Sequence, residues 1–335
     1  MTERENEERM CKHVEEERVR EVDDDQVVMA MGMLDQSSQH HYGSQPGHGP
    51  NMDTCRHSRG KYRMQPHLSN KIMHDVCNYD AYFVQKYDAI GILGLFPEQK
   101  PTASLWMLAF GTSADHVDGI SRMEKSNIQE SLVRFCDAIE TIYTKDYLRK
   151  PTPRDLKRLL QKAKARGFPY MTGSIDYIHW QWKKCPTAWQ GDYGYRNGQK
   201  SIILEAVASF DTWVWHAFFG VVGSQNDLNM LGQSLVFNDL LRGQSPHITY
   251  KINNTIYSGG YYLGDEIYPR WTTFVKTIPH PQLENEKYFD AYQEGYRKNV
   301  ERCFSILQDQ WAIIRGAARM FDEEVLQSIM MTCTI

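Results

Sequence analysis

Three acidic residues lie far apart in the sequence but on segments that a folded chain would pack together. Asp176 lies in the strand-like, aromatic stretch GSIDYIHWQWKKCP, and Asp265 ends the apolar run YYLGDEIYP. Glu301 follows Val300, which belongs to the apolar face of a long helical pattern. Carboxylate oxygens are the ligands that Mg²⁺ and Mn²⁺ prefer. Two such ions can activate an attacking oxygen and stabilise the leaving oxygen of a phosphodiester, so these residues indicate metal-dependent phosphoryl chemistry.

The residue pattern alone does not single out these three acids, because the chain has 42 Asp and Glu residues. A lone acid in such a setting is usually a turn residue or the end of a capped strand. A metal-dependent phosphatase on an unrelated α/β fold is a further hypothesis that the acid count supports. ATP use is disfavoured, because the chain has no glycine-rich phosphate loop of the Walker type.

The elements that position the acids belong to the second half of the chain. Residues 1–64 are rich in polar residues, Gly and Pro, with 13 acidic and 9 basic residues, which predicts a disordered tail. Residues 65–165 have helical periodicity and form a helix-turn-helix-like domain or another small helical bundle. Ser126 is expected to cap the last long helix of this half.

Residues 166–335 predict a mixed α/β domain. A strand around Asp176 precedes two β-runs joined by a turn near Asp211, which indicates a hairpin. A helix over residues 227–242, a strand ending at Asp265 and a long helix carrying Glu301 complete the order.

Charge is distributed unevenly along the chain, whose formal net charge is −4. Residues 145–200 contain 13 Lys and Arg but only 4 Asp and Glu, which is typical of a surface that contacts a polyanion. A solvated helix face is the alternative. Arg297 and Lys298 lie one turn before Glu301, so each can pair with it or meet a phosphate. The candidate DNA-binding residues are Arg154, Lys157, Arg158, Lys162, Lys183, Lys184, Arg297 and Lys298.

The remaining composition indicates an intracellular protein. No apolar run approaches the roughly 20 residues of a membrane span, and the acidic N-terminus does not have the pattern of a signal peptide. The seven cysteines are scattered without the spacing of zinc ligands, so we expect reduced thiols.

Long phrases of the chain resemble the transposases of PIF/Harbinger DNA transposons, in the plant transposon-protein subgroup. They are GFPYMTGSIDYIHWQWKKCPTAWQGDY, IILEAVASFDTWVWHAFFGVVGSQNDLNML, YYLGDEIYPRWTTFVKTI and RKNVERCFSILQDQWAIIR. The resemblance implies a DDE catalytic core with an RNase H-like fold, a mixed five-stranded sheet with flanking helices. The last two acids of that family are typically 35 residues apart, and 35 residues lie between Asp265 and Glu301.

The resemblance implies a role for each matching residue. Asp176, Asp265 and Glu301 correspond to the catalytic acids, which would bind two Mg²⁺ or Mn²⁺ ions. Asp227 matches a further aspartate, which contributes to the metal site or caps a helix. His179 matches a D-x-x-H phrase, and a hydrogen-bonded residue behind the ligands is favoured over a direct ligand. Glu266 departs from the family, which often has glycine there.

The implied function is cleavage and joining of DNA. The implied substrate is the terminal inverted repeats of a Harbinger-like element, and a Myb/SANT-like accessory protein would assist binding and nuclear entry. The protein would act as a homo-oligomer in the nucleus, or stay in the cytoplasm until a partner binds it. The alternative is a domesticated, catalytically silent derivative that serves as a chromatin or transcription-complex subunit.

Overall fold

The computed structural model describes residues 64–87, 89–195, 198–222, 248–252, 255–266, 268 and 271–335. Helices occupy the first part of this range and its C-terminal end, with strands between them. The expected mixed α/β class is therefore confirmed. Asp227, the helix expected over residues 227–242 and nearly all of the tail expected over residues 1–64 lie outside the described residues.

One long helix, α4 (Lys125–Tyr147), precedes the sheet and another, α6 (Glu284–Gln310), follows it. The Ser126 cap is wrong, because α4 begins at Lys125 and Ser126 already lies in its first turn. Helix α5 has a capping box, in which Thr152 and Asp155 each bond the other's backbone N–H. The helices are α1 Pro66–Tyr79, α2 Gln99–Phe110, α3 Ala114–Ser121, α4 Lys125–Tyr147, α5 Pro153–Ala165, α6 Glu284–Gln310, α7 Ala312–Arg315 and α8 Glu323–Thr334.

A five-stranded mixed sheet has the order β3-β2-β1-β6-β7. Strands β1, β2 and β3 pair antiparallel, whereas β6 is parallel to β1 and β7 is parallel to β6. The expected hairpin is confirmed as β2 and β3, and β4 and β5 form a separate two-stranded sheet. The strands are β1 Met171–Gln181, β2 Ser201–Ala208, β3 Val214–Val222, β4 Thr249–Ile252, β5 Thr255–Ser258, β6 Tyr261–Leu263 and β7 Phe274–Val275.

The two faces of the sheet follow from the alternation of side chains along each strand. On one face, Trp180 and Leu204 join a hydrophobic cluster with Leu132 of α4, Phe304 of α6 and Ile329 of α8. The helices before and after the sheet therefore share one core with it. Helix α6 is fixed to this face, because the hydroxyl of Ser174 in β1 donates a 3.0 Å hydrogen bond to the carbonyl oxygen of Tyr296.

The described part of the chain bears on two further expectations. It contains no helix that is both long and apolar enough to cross a membrane. Its cysteines, Cys77, Cys136, Cys185, Cys303 and Cys333, are free thiols, as expected. Burial raises the pKa of the Cys303 thiol to about 11, so this residue stays protonated and is a poor nucleophile.

Candidate metal centre and DNA-binding surface

Asp176 lies on β1, and Asp265 follows β6, the parallel strand that pairs with β1. Ser174 of β1 pairs with Leu263 of β6, and extending this register by two residues places Asp265 beside Asp176. Gly264 precedes a turn in which the N–H of Tyr268 bonds the carbonyl oxygen of Asp265, and a Cβ atom on Gly264 would meet the ring of Tyr268 at 2.9 Å. A larger residue at this position would displace the Tyr268 ring, and Asp265 follows Gly264 directly.

Helix α6 carries the third acid, Glu301, and an arginine on the same helix connects it to Asp176. The Nη1 atom of Arg297 lies 3.2 Å from Oδ2 of Asp176 and 2.8 Å from Oε1 of Glu301. The side chains of Arg297 and Asp176 are only 12% and 15% exposed, whereas that of Glu301 is 42% exposed. A strand acid and a helix acid that are far apart in sequence thus meet at one guanidinium group.

The surroundings of Asp176 disfavour its ionised form. The pKa of Asp176 is raised to about 6, chiefly by burial and also by the negative charges of Glu301 and Asp265. A 2.8 Å hydrogen bond from the backbone N–H of Tyr177 and the charge of Arg297 act in the opposite direction. The carboxylates of Glu301 and Asp265 are therefore close enough to Asp176 to disfavour its ionisation.

The chemistry of this donor set fits a hard divalent cation, because all three groups offer carboxylate oxygens and their repulsion would be relieved by positive charge. The side chains are not gathered into a chelating cluster, since no group of three or more His, Cys, Asp or Glu residues that could hold a metal ion occurs in the described ranges. The guanidinium of Arg297 lies between two of them instead.

Comparison with known proteins identifies the family of the chain. The family model described as plant transposon protein matches residues 145–335, which is more than half of the chain and includes all three acids. The chain belongs to the plant transposon protein family. Comparisons with curated proteins and with solved structures found no match.

In this plant transposon protein, two polar side chains hold the turn that carries Asp265. Gln293 of α6 is fully buried, and its Nε2 atom donates to the carbonyl oxygens of Gly264 at 3.0 Å and Val275 at 2.9 Å. Lys276 donates to the carbonyl oxygens of Glu266 at 3.0 Å and Tyr268 at 2.5 Å. Sequence reasoning missed both residues.

We expect Gln293→Leu to lower the free energy of unfolding by about 2–4 kcal/mol, because two buried carbonyl oxygens each lose a hydrogen bond. Urea unfolding followed by circular dichroism measures this change. Ser305→Ala is the control, since it removes an exposed hydroxyl from the same helix and should alter stability by about 0.5 kcal/mol or less. Equal effects of the two substitutions would show that Gln293 does not hold the turn.

The raised pKa of Asp176 predicts a pH-dependent cost to stability. An unfolded aspartate ionises near pH 3.9, whereas the folded protein keeps Asp176 protonated until about pH 6. Protonated Asp176 favours the folded state. This contribution is complete below pH 4 and is lost as the pH rises through 6, where the folded protein must ionise the buried carboxyl group. In EDTA, we expect Asp176→Asn to be about 1–3 kcal/mol more stable than wild type at pH 7.5, with the gain vanishing near pH 4.

Denaturant unfolding of both proteins between pH 4 and 8 measures this difference. The control is Asp290→Asn, which changes another aspartate outside the acid cluster. A less stable Asp176→Asn protein at pH 7.5 would mean that the ion pair with Arg297 outweighs the cost of burial.

The side chain of His179 lies on the face of the sheet opposite to that of Asp176. It lies three residues after Asp176 in β1, and an odd separation in a strand places two side chains on opposite faces. Its Nδ1 atom lies 3.0 Å from the hydroxyl oxygen of Ser201, and its ring stacks on Tyr195 with centroids 3.8 Å apart. This position does not support the expected role behind the metal ligands.

Six of the eight candidate DNA-binding residues lie in segments next to the two ends of β1, and Arg297 and Lys298 lie on α6. Helix α5 leads into the start of the strand, where Arg154 and Lys157 are exposed. Arg158 and Lys162 lie on the same helix but reach Asp211, at 3.4 and 3.8 Å.

Lys183 and Lys184 follow the opposite end of β1, which at 11 residues spans roughly 36 Å. Lys184 lies over the ring of Phe321, 4.8 Å from its centroid. Lys298 pairs with Glu294 at 2.8 Å, so Lys298 does not join Arg297 at the acids. The eight residues therefore do not form one continuous surface.

Proposed function

We propose that this member of the plant transposon protein family is a Harbinger-type DDE nuclease and strand transferase. The observation that carries the proposal is that Arg297 contacts both Asp176 and Glu301, while Asp265 follows the strand that pairs with β1. The five-stranded mixed sheet with helices against it supports an RNase H-like core.

Asp176, Asp265 and Glu301 are the residues that would hold two Mg²⁺ or Mn²⁺ ions. When bound, such ions supply activation of the attacking oxygen and stabilisation of the leaving oxygen. The chain contributes the positions of the carboxylates: β1 carries Asp176, α6 carries Glu301, and Gln293 and Lys276 hold the turn after β6 that carries Asp265.

The proposed DNA-contacting surface begins on α5. Exposed cations that neutralise phosphates supply most of the sequence-independent affinity for DNA. A helix-turn-helix in the preceding helices is less well supported, because α3, ADHVDGIS, contains two aspartates and no Lys or Arg. DNA contact through α5 would also place the duplex beside the strand that carries Asp176.

The resemblance to Harbinger transposases extends the proposal to partners. The substrate would be the terminal inverted repeats of such an element, bound by a homo-oligomer in the nucleus with a Myb/SANT-like accessory protein. These partners rest on the resemblance and on the family.

Nicking of supercoiled plasmid DNA tests the proposed activity. The purified protein is expected to convert supercoiled DNA to open circles in Mg²⁺ or Mn²⁺ and not in EDTA. Well-folded protein that cleaves no DNA with any divalent ion, including DNA that carries the inverted repeats, would favour the catalytically silent chromatin or transcription subunit.

A further inference from the structure

The guanidinium group of Arg297 lies between Asp176 and Glu301, two of the proposed metal ligands. It contacts Oδ2 of Asp176 at 3.2 Å and Oε1 of Glu301 at 2.8 Å through a single nitrogen, Nη1. With 12% of its side chain exposed, Arg297 is largely withdrawn from solvent. Its positive charge therefore offsets the repulsion between the two carboxylates at close range.

The neighbouring basic residue on the same helix has a different partner. Lys298 pairs with Glu294 at 2.8 Å, and both side chains are about half exposed, at 52% and 49%. This ion pair lies within the helix surface, whereas that of Arg297 connects α6 to β1. Lys298 thus gives a matched control that has the same charge and lies one residue away.

We propose that Arg297 is a resident counter-cation, which holds Asp176 and Glu301 together in the metal-free protein and must release them before a divalent ion binds. The proposal rests on the proposed metal-dependent function. A hard cation bonds carboxylate oxygens at about 2.0–2.1 Å, so an ion on these carboxylates would lie a few ångströms from the guanidinium, and the two positive charges would repel each other. Arg297 competes with the ion for these two ligands.

Release would leave the guanidinium beside the acids with its hydrogen-bonding fork available to another partner. Such a fork matches the geometry of a phosphate group, so the displaced Arg297 is suited to contact the DNA backbone. The arginine would then exchange two carboxylate partners for a phosphate partner as the site is loaded.

Mn²⁺ affinity without DNA tests the competition, measured by titration calorimetry and by the electron paramagnetic resonance signal of free Mn²⁺. We expect Arg297→Gln to bind Mn²⁺ about tenfold more tightly than wild type, because a positive charge a few ångströms from the ion is removed. Lys298→Gln should bind with the wild-type affinity within about twofold, since its charge is exposed and screened. The melting temperature of metal-free Arg297→Gln should be lower than that of wild type, and Mn²⁺ should narrow the gap.

The outcomes separate the two proposals. If wild type binds Mn²⁺ and a folded Arg297→Gln protein binds it no more tightly, Arg297 does not compete and the counter-cation proposal is overturned. If no folded variant binds Mn²⁺, the proposed metal site fails and both proposals fall.

A measurement on wild-type protein covers the case in which Arg297→Gln does not fold. The arginine Nε–Hε resonance that is absent from Arg297→Lys identifies the Arg297 signal in nitrogen-15 spectra. During a Mg²⁺ titration, this signal should move with the same midpoint as Mg²⁺ binding measured by calorimetry. A signal that stays in place while Mg²⁺ binds would overturn the proposal.

Discussion

Asp265→Asn protein is expected to nick supercoiled DNA at least about a thousandfold more slowly than wild type, in either Mg²⁺ or Mn²⁺. Loss of one anionic ligand weakens the binding and alignment of the ions that stabilise the reacting oxygens, and about 4 kcal/mol of lost stabilisation corresponds to this factor. The fold should survive, because Oδ1 of Asp265 accepts a 2.8 Å hydrogen bond from the N–H of Glu266 and an asparagine oxygen can accept it as well. Initial nicking rates at saturating metal measure the effect.

Glu266→Gln is the matched control for this substitution. It removes a carboxylate from the adjacent, exposed position, which departs from the glycine common in the resembling family. We expect the nicking rate to change by less than about fivefold, because Glu266 points to solvent and screening is strong there. Equal losses from the two substitutions would indicate that general charge near the turn matters, rather than ligation by Asp265.

The paired replacement Arg154→Gln with Lys157→Gln is expected to lower DNA affinity by about tenfold or more at moderate salt. Each phosphate contact contributes about 0.9 to the slope of log K against log salt, so the slope should become shallower by roughly 1.8. Fluorescence anisotropy of a labelled duplex between 50 and 200 mM salt measures both quantities. DNA of unrelated sequence should lose affinity to the same extent, because phosphate contacts carry no sequence information.

The paired replacement of Arg158 and Lys162 by glutamine carries the same change in net charge. These cations face Asp211, whose side chain is 17% exposed, so they are partly neutralised within the protein. Their removal should leave the salt slope nearly unchanged, even if affinity falls through the long-range field. Equal changes of slope in the two double variants would contradict the assignment of phosphate contact to Arg154 and Lys157.

Local patterns predicted those elements whose formation depends on nearby residues. The apolar runs on either side of Asp211 indicated the β2–β3 hairpin, and the helical spacing from Val300 to Phe304 indicated the buried side of α6. The end of the strand at Asp265 was placed within two residues, since β6 ends at Leu263.

Contacts between distant segments could not be predicted in this way. Nothing near Asp176 indicates that β1 lies between β2 and β6, because that order depends on packing across the whole sheet. The bridge from Arg297 to Asp176 depends on the same packing, and only the pairing with Glu301 on the same helix was expected.

Two features of the site had signals in the sequence. Gln293 lies seven residues before Val300, two helical turns away on the buried face, where a polar residue usually makes a specific hydrogen bond. The opposite orientation of His179 follows from its three-residue distance to Asp176, since side chains alternate along a strand. A D-x-x-H phrase brings its residues together on a helix but separates them on a strand.

The most direct test of the central claim is a crystal structure with Mn²⁺, with data collected at the manganese absorption edge to locate the ions. Anomalous density is expected within about 2–2.5 Å of carboxylate oxygens from Asp176, Asp265 and Glu301. The guanidinium of Arg297 should have moved away from that density. Mn²⁺ bound elsewhere, or Glu301 facing away from the two aspartates, would contradict a catalytic centre built from these three acids.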